Sequence, residues 1–156
     1  MRRNDREVTD EREIEEIISS CACCRLGFDD RGSVYIVPLN FGYVKSGGKY
    51  TFYFHGAMAG RKYELLKESP IAAFEMDCGY ELIQGKTACS SSALFRSVMG
   101  SGRASIVEDE AEKHAGLLAL MEHCSGRADW KFQDEALASV CVFRLEVSEL
   151  SAKEHI

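Results

Sequence analysis

Residues 33–55, SVYIVPLNFGYVKSGGKYTFYFH, carry the pattern that decides the fold. β-Branched and aromatic side chains dominate residues 33–43, which predicts a strand. The triplet at 46–48 is typical of a tight hairpin turn, and residues 49–55 form the predicted return strand. A preceding strand, predicted over residues 21–28, adds a third member. The sequence therefore predicts an antiparallel β meander in the first half of the chain.

The remaining elements complete a small mixed domain. Helices are predicted over residues 10–20, 61–68 and 108–125, and further strands over 71–77, 94–107 and 138–147. About six strands, joined mostly by hairpins, indicate the α+β class. Such strands close more naturally into a small barrel than into a doubly wound sheet. We therefore expect one domain over residues 1–156, a six-stranded antiparallel β-barrel with peripheral helices.

Composition and charge exclude several classes of function. The chain has 156 residues, of which 46% are hydrophobic, and a net charge of −6. An acidic protein of this size is not expected to coat nucleic acid, which needs a basic surface. No apolar run is long enough for a membrane span, and the charged N-terminus does not look like a signal peptide. The predicted location is the cytoplasm, with neither nucleic acid nor membrane as a partner.

Seven cysteines include a cluster at Cys21, Cys23 and Cys24. An odd count without a signal peptide argues against a disulfide framework. A structural zinc site usually needs a second cysteine pair at short spacing, and none is present. We expect reduced thiols that act as small apolar side chains, with redox chemistry or metal binding as alternatives.

The densest group of polar and small residues lies at 53–62, YFHGAMAGRK. Arg61 and Lys62 begin a predicted helix, where acidic residues would suit the helix dipole better. Backbone N–H groups at a helix start, together with two cations, form an anion site whose usual occupant is phosphate. The alternative is a solvated first turn. His55 lies beside this loop, either as a packed histidine or as part of the site.

Two strand segments offer weaker signals. Pro38 within a strand is typical of an edge or a bulge, which would leave Asn40 and nearby backbone groups free to bind a planar ligand. An ordinary edge strand explains the same pattern. Ser97 and neighbouring backbone amides form a similar weak signal in another strand. His114 and His123 lie on the last long predicted helix, where we expect them to face solvent.

Four motifs occur in order along the chain, at residues 24–28, 35–43, 53–62 and 97–100. Together with residues 1–7 they resemble the pyridoxamine 5′-phosphate oxidase-like flavoproteins, and within them the nitroimidazole-resistance branch. The resemblance covers residues 1–124 and extends more loosely to 153. Phe95 stands where many relatives have tyrosine, and Ser101 where they have an aromatic residue. Residues 78–93, predicted to form a loop or an irregular edge, and residues 125–137 match no motif and are expected to shape the substrate side.

The resemblance implies a split β-barrel that binds FMN between the two subunits of a homodimer. Arg61 and Lys62 match the positions that bind the flavin phosphate, and His55 and Gly56 line the same cleft. Two strand segments match those that flank the isoalloxazine ring, namely Val37, Pro38, Leu39 and Asn40 on one side and Ser97, Val98 and Met99 on the other. No metal site is implied.

The function implied by the resemblance is that of an FMN-dependent oxidoreductase acting on nitro-aromatic compounds such as 5-nitroimidazoles, or on related planar molecules. His55 is the candidate catalytic residue, to orient the substrate or donate a proton. One alternative is a protein of the same fold that stores or senses FMN without turnover. Another is haem binding through a histidine such as His55, His114 or His123, and a third is a structural dimer with an empty cleft.

Overall fold

The computed structural model describes residues 4–156, so Met1, Arg2 and Arg3 of the N-terminal motif lie outside the described residues. The helices are α1 (Glu11–Ser20), α2 (Arg61–Glu68), α3 (Glu110–Ser125) and α4 (Asp134–Ser139). The strands are β1 (Glu7–Val8), β2 (Cys24–Asp30), β3 (Ser33–Leu39), β4 (Gly42–Ser46), β5 (Lys49–Gly56), β6 (Ile71–Ile83), β7 (Ser92–Ile106) and β8 (Cys141–His155). Short 3₁₀ turns cover Asn4–Arg6 and Ala88–Ser90.

Helix α1 begins where a side chain replaces its missing backbone partners. The Asp10 carboxylate accepts hydrogen bonds from the backbone N–H groups of Arg12 at 2.8 Å and Glu13 at 3.3 Å, which is how an aspartate stabilises a helix start. Ile17 and Ile18 lie on the apolar face and are fully buried. The helix predicted over residues 10–20 is confirmed.

The described strands form one antiparallel sheet in the order β3-β2-β6-β7-β8-β5-β4, with β1 paired to β8. The predicted α+β class with an antiparallel sheet is confirmed. The predicted count of six strands is wrong, because the sheet has eight. The sheet is also not closed, since β3 and β4 are its two edges and share no backbone ladder among the described residues. Only residues 40 and 41 separate these edges along the chain, so the sheet must curl towards itself.

The single strand predicted over residues 33–43 is divided between the two edges. Strand β3 pairs with β2, whereas β4 pairs with β5. The meander predicted for the first half of the chain is therefore wrong, because its strands form two hairpins at opposite edges of the sheet. Phe41 is fully buried at the crossing. A Cβ on Gly42 would overlap the backbone of Ala119 and Leu120 in α3, so only glycine permits this approach. The sequence did not indicate this division into two strands, because residues on both sides of it are β-branched or aromatic.

The loop or irregular edge predicted over residues 78–93 is confined to residues 84–91, because residues 78–83 belong to β6 and residues 92–93 begin β7. Strands β6 and β7 continue as a hairpin that pairs Ile83 with Ser92, beyond a register shift between Cys78 and Glu81. Gly79 adopts a positive φ of 66° at this shift. A bulge of this kind interrupts the alternation of side chains by which a strand is detected in sequence. The hairpin exposes Tyr80 and its neighbours to solvent.

The C-terminal part also differs from the prediction. Strand β8 extends to His155 rather than ending at 147, and it pairs with β7 from Phe143 onwards to its last residue. Helix α4 occupies residues for which no helix was predicted. At six residues it is too short to show a helical period in the sequence.

Phenylalanine side chains fill the inside of the curled sheet. Phe54 stacks on Phe143 with ring centroids 5.2 Å apart, and Phe52 meets Phe74 edge-on at 5.1 Å. All four are buried. Because side chains alternate along a strand, the residues between these rings point away from the interior, and that alternation sets which residues can reach a ligand.

Three of the cysteines, Cys21, Cys24 and Cys141, are buried as apolar side chains, whereas Cys89 and Cys124 are exposed. All seven are free of disulfides, and Cys21 and Cys24 are buried in the core. Burial raises the pKa of both thiols, which lowers their reactivity. Within residues 4–156, no group of three or more His, Cys, Asp or Glu side chains is placed to hold a metal ion.

None of the helices in the described part of the chain is both long and apolar enough to cross a membrane. The longest, α3, carries charged side chains along its length. The cytoplasmic location remains a prediction.

Candidate functional site

The end of β5 and the start of α2 bring four candidate residues together, His55, Gly56, Arg61 and Lys62, here called the basic corner. Gly60 precedes the helix with a φ of 96°, and no side chain caps the first helical N–H groups. Those groups are therefore available to an acceptor from outside the helix. The predicted combination of a helix start and two cations is present.

Lys62 is the most unusual member of the basic corner. Its ammonium lies over the backbone of Gly56, where a Cβ would come within 2.5 Å of Nζ, and it lies 5.3 Å from the centre of the Phe143 ring. No carboxylate among the described residues forms an ion pair with it. Burial lowers the pKa of Lys62, since a half-buried cation without a counterion loses hydration. An anion bound here would supply the missing charge.

Arg61 points in a different direction. Its guanidinium forms a two-point ion pair with Asp30, with Nε donating to Oδ2 at 2.7 Å and Nη2 contacting Oδ1. Asp30 ends β2 at the hairpin that leads to β3. Sequence reasoning missed this carboxylate, because Asp30 and Arg61 are 31 residues apart and only the fold brings them together.

His55 is exposed at the end of β5, beside the basic corner rather than inside the core. Partial burial, together with the nearby charge of Lys62, lowers its pKa. The imidazole is therefore neutral at pH 7. A neutral imidazole can donate one hydrogen bond and accept another, which suits contact with a polar ligand.

The other two predicted segments meet across the sheet. Pro38 pairs with Arg25, Arg25 with Glu75, and Glu75 with Met99. Residues directly opposite in register share a face, so these four side chains form one row on the outer surface, here called the outer band. Ser97 lies on the same face, opposite Asp77. Arg25 is held in the row by Glu75 at 2.9 Å and Asp77 at 2.6 Å.

Alternation places the remaining candidates on the opposite face. Val98 is fully buried, and Val37 and Leu39 pack against the core. Their side chains are therefore not available to a ligand on the outer surface. Val98 also lies in a central strand, paired with Met76 on one side and Ala152 on the other. Asn40 is exposed just after β3, where its amide approaches the thiol of Cys124 at 3.7 Å.

The basic corner and the outer band lie apart along the sheet of one chain. The contact of Arg61 with Asp30 marks the position of the basic corner on β2. Arg25 of the outer band lies five residues before Asp30 on the same strand, which is a distance of about 17 Å. Between them the outer face exposes Val34 at 72% and Ile36 at 63%. Together with Ala73, these side chains line an apolar depression of about 270 Å³. Sequence patterns did not single out these two residues.

The histidines of α3 were predicted to face solvent, but both rings pack against aromatic side chains. The His123 ring packs on Phe41, with ring centres 4.2 Å apart, and its Nε2 lies 2.8 Å from the carbonyl oxygen of Cys21. His114 packs edge-on against Phe132 at 5.4 Å. Both rings are partly buried, and Nε2 of His123 is engaged by the Cys21 carbonyl.

A curled, open antiparallel sheet with a basic helix start at one strand end defines a protein of the split-barrel class. The chain belongs to the pyridoxamine 5′-phosphate oxidase family, whose model matches residues 10–154. The resemblance inferred from the motifs is thereby confirmed. No curated protein sequence matches the chain significantly.

Several solved structures share the fold. A candidate 5-nitroimidazole antibiotic resistance protein from Bacteroides thetaiotaomicron is 30% identical, with a TM-score of 0.81, over 95% of this chain and 86% of that one. The flavocytochrome Anf3 from Azotobacter vinelandii is 23% identical, with a TM-score of 0.81, over 100% and 72% of the two chains. A protein from Mycobacterium smegmatis that binds FAD and haem is 19% identical, again with a TM-score of 0.81, over 96% and 73%.

Proposed function

We propose that this protein is an FMN-dependent oxidoreductase that reduces nitro-aromatic compounds of the 5-nitroimidazole kind. The observation that carries the proposal is the half-buried, unpaired ammonium of Lys62 beside the uncapped start of α2. A flavin phosphate would satisfy both, because it brings negative charge and several acceptor oxygens to one point. The likeness to the resistance protein from Bacteroides supports the choice of substrate.

The residues present fit a phosphate at the basic corner. Gly56 leaves open the space beside Nζ that a side chain would fill, and Gly60 brings no Cβ to the helix start. The donors are an ammonium, a guanidinium and backbone N–H groups, which bind phosphate oxygens well. Bound FMN would supply the capacity to pass electrons to an acceptor stacked on its ring.

In this proposal the outer band holds the flavin ring and a second copy of the chain covers it. Pro38, Ser97 and Met99 offer side chains on the outer face. The side chains of Val37, Leu39 and Val98 point into the core, so these three residues support the band from behind. The exposed apolar side chains between the band and the basic corner support a homodimer, since an apolar patch on a sheet face is a common interaction surface. A site shared between two chains needs no single chain to surround the cofactor.

His55 is the residue we assign to the substrate. Because its lowered pKa keeps it neutral at pH 7, it can donate a hydrogen bond to a nitro oxygen without adding a third positive charge beside Lys62. The ring can donate a proton to a product atom only if one of its nitrogens takes up a proton from solvent as the other releases one, because a neutral imidazole alone is not an acid near pH 7. Its position at the strand end leaves the ring free to meet a small planar molecule.

The first experiment is a flavin titration of the wild-type protein and Lys62→Met, followed by absorption and flavin fluorescence. We expect Lys62→Met to weaken FMN binding by roughly 10- to 100-fold, the range for losing a charged hydrogen bond. Lys67→Met is the matched control, because Lys67 lies in the last turn of the same helix and pairs with Glu64 at 3.1 Å. Equal FMN affinity in all three proteins would overturn the phosphate assignment.

Activity is tested separately with the FMN-loaded protein. We expect a chemically reduced sample to be reoxidised by a 5-nitroimidazole under anaerobic conditions, and His55→Gln to slow this step while FMN affinity is kept. Tight FMN binding without reoxidation would instead support a binding or storage role. A haem Soret band in the protein as purified would favour the haem-binding alternative.

A further inference from the structure

The contact between Asp30 and Arg61 uses only one edge of the guanidinium. Nε and Nη2 face the carboxylate, which engages two of the five N–H donors of an arginine and leaves the fork of Nη1 and Nη2 open. The Asp30 and Arg61 side chains are 23% and 36% exposed. The pair is therefore partly shielded, and Arg61 still has a face open to solvent.

We infer that Asp30 is a positioning residue for the anion site, holding Arg61 by one edge so that its other edge faces the phosphate. The inference rests on the proposed binding of a flavin phosphate at the basic corner. A long flexible side chain loses conformational freedom when it binds an anion. Asp30 reduces that loss because its two-point contact fixes the plane of the guanidinium before the ligand arrives.

The opposite relationship would make Asp30 a competitor that occupies Arg61 in place of phosphate. The side-on geometry argues against competition, because it leaves the fork of Nη1 and Nη2 open, so carboxylate and phosphate can bind the guanidinium at the same time. The carboxylate occupies the edge nearer the Arg61 backbone. A competitor and a positioning residue predict opposite signs for the change in FMN affinity.

A second ion pair supplies a matched control. Arg31, the next residue of the same hairpin, contacts Glu68 at the other end of α2 at 3.5 Å. Each ion pair ties the hairpin to the helix, but only the pair made by Asp30 involves a candidate phosphate ligand. Glu68→Gln therefore removes a contact between the same hairpin and the same helix, although a longer and more exposed one, without touching the anion site.

The test compares FMN with riboflavin, which has the same ring but no phosphate, by fluorescence titration of wild-type protein, Asp30→Asn and Glu68→Gln. We expect Asp30→Asn to weaken FMN binding roughly tenfold and to leave riboflavin binding unchanged. Glu68→Gln should bind both flavins as the wild-type protein does. Asp30→Glu, which keeps the carboxylate, should recover part of the loss and serves if Asp30→Asn fails to fold.

Other outcomes would overturn the inference. Tighter FMN binding by Asp30→Asn would show competition, and unchanged binding would show that Arg61 needs no support. An equal loss in Glu68→Gln would assign the effect to helix docking. Lys62→Met separates the two proposals. If Lys62→Met leaves FMN affinity unchanged, the phosphate site itself is wrong. If Lys62→Met weakens FMN binding but Asp30→Asn does not, only the role of Asp30 is refuted.

Discussion

The basic corner and the outer band hold their candidate residues in different ways. The basic corner is local, because His55, Gly56, Arg61 and Lys62 lie within eight consecutive residues around a strand end and a helix start. The outer band is assembled by pairing across four strands. Alternation along those strands turns three of the predicted flavin-binding residues inwards, namely Val37, Leu39 and Val98. A contiguous motif can therefore be interpreted residue by residue, whereas a motif within a strand has to be divided between two faces first.

The largest expected effect on stability tests the division of β7 residues between a buried face and an exposed face. Val98→Asp places a charge in the core, which should cost at least about 4 kcal/mol of unfolding free energy. Met99→Asp, one residue further along the same strand, lies on the exposed face and should change the stability of the separate protomer by no more than about 0.5 kcal/mol, when both proteins are compared at a concentration at which they are monomeric. Chemical denaturation followed by circular dichroism compares the two variants.

Met99→Asp also sharpens the proposal for the outer band. A new charge on the face that a second copy covers should shift the protein from dimer to monomer, measured by light scattering. Similar stability losses for Val98→Asp and Met99→Asp would contradict the assignment of faces. A folded Met99→Asp protein with unchanged oligomeric state would contradict the placement of the partner.

The next effect concerns the crossing between the two sheet edges. Gly42→Ala should destabilise the protein by about 3 kcal/mol, because the added Cβ overlaps the α3 backbone and forces the helix away. Gly27→Ala is the matched control in the same sheet. A Cβ there would lie 3.9 Å from Val34 Cγ1, an ordinary contact, so the change should cost less than about 1 kcal/mol. Equal midpoints of thermal unfolding would refute the tight crossing.

The smallest expected effect is a pH dependence in the basic corner. Because the pKa of His55 is lowered in the folded protein, the unfolded chain binds this proton more readily. Unfolding free energy should therefore fall as the pH drops below about 6.5, the ordinary pKa of histidine. His55→Gln should lose less stability than the wild-type protein between pH 7.5 and 5, measured by chemical denaturation.

Lys62→Met sharpens the same measurement, because removing the lysine charge allows the pKa of His55 to rise. Part of the acid-dependent loss should then disappear even though His55 is still present. Identical pH profiles for the wild-type protein and His55→Gln would show that His55 keeps its ordinary pKa and that the proposed electrostatic link to Lys62 is absent.

Local patterns predicted much of this fold. Three predicted features depend on residues that are close in sequence. They are the capping aspartate and spaced isoleucines of α1, the glycine turn between β4 and β5, and the basic start of α2. The motif at 53–62 also predicted the proposed anion site. These features follow from backbone conformation and the chemistry of adjacent side chains, which a sequence displays directly.

Other features depended on long-range packing. The ion pair between Asp30 and Arg61, the pairing of Pro38 with Arg25, and the crossing at Gly42 join residues that the sequence separates. The bulge beside Cys78 concealed the extended hairpin for a related reason, since it breaks the period by which strands are detected.

By itself, the sequence determined that this protein is a small α+β domain with antiparallel hairpins, a basic helix start and the motifs of its family. Only the tertiary structure decided that the sheet is eight-stranded and open, which strand residues face outwards, and which carboxylate holds Arg61. The physical reason is that local conformation depends on neighbouring residues. Register, curling and charge pairing depend on which distant surfaces meet.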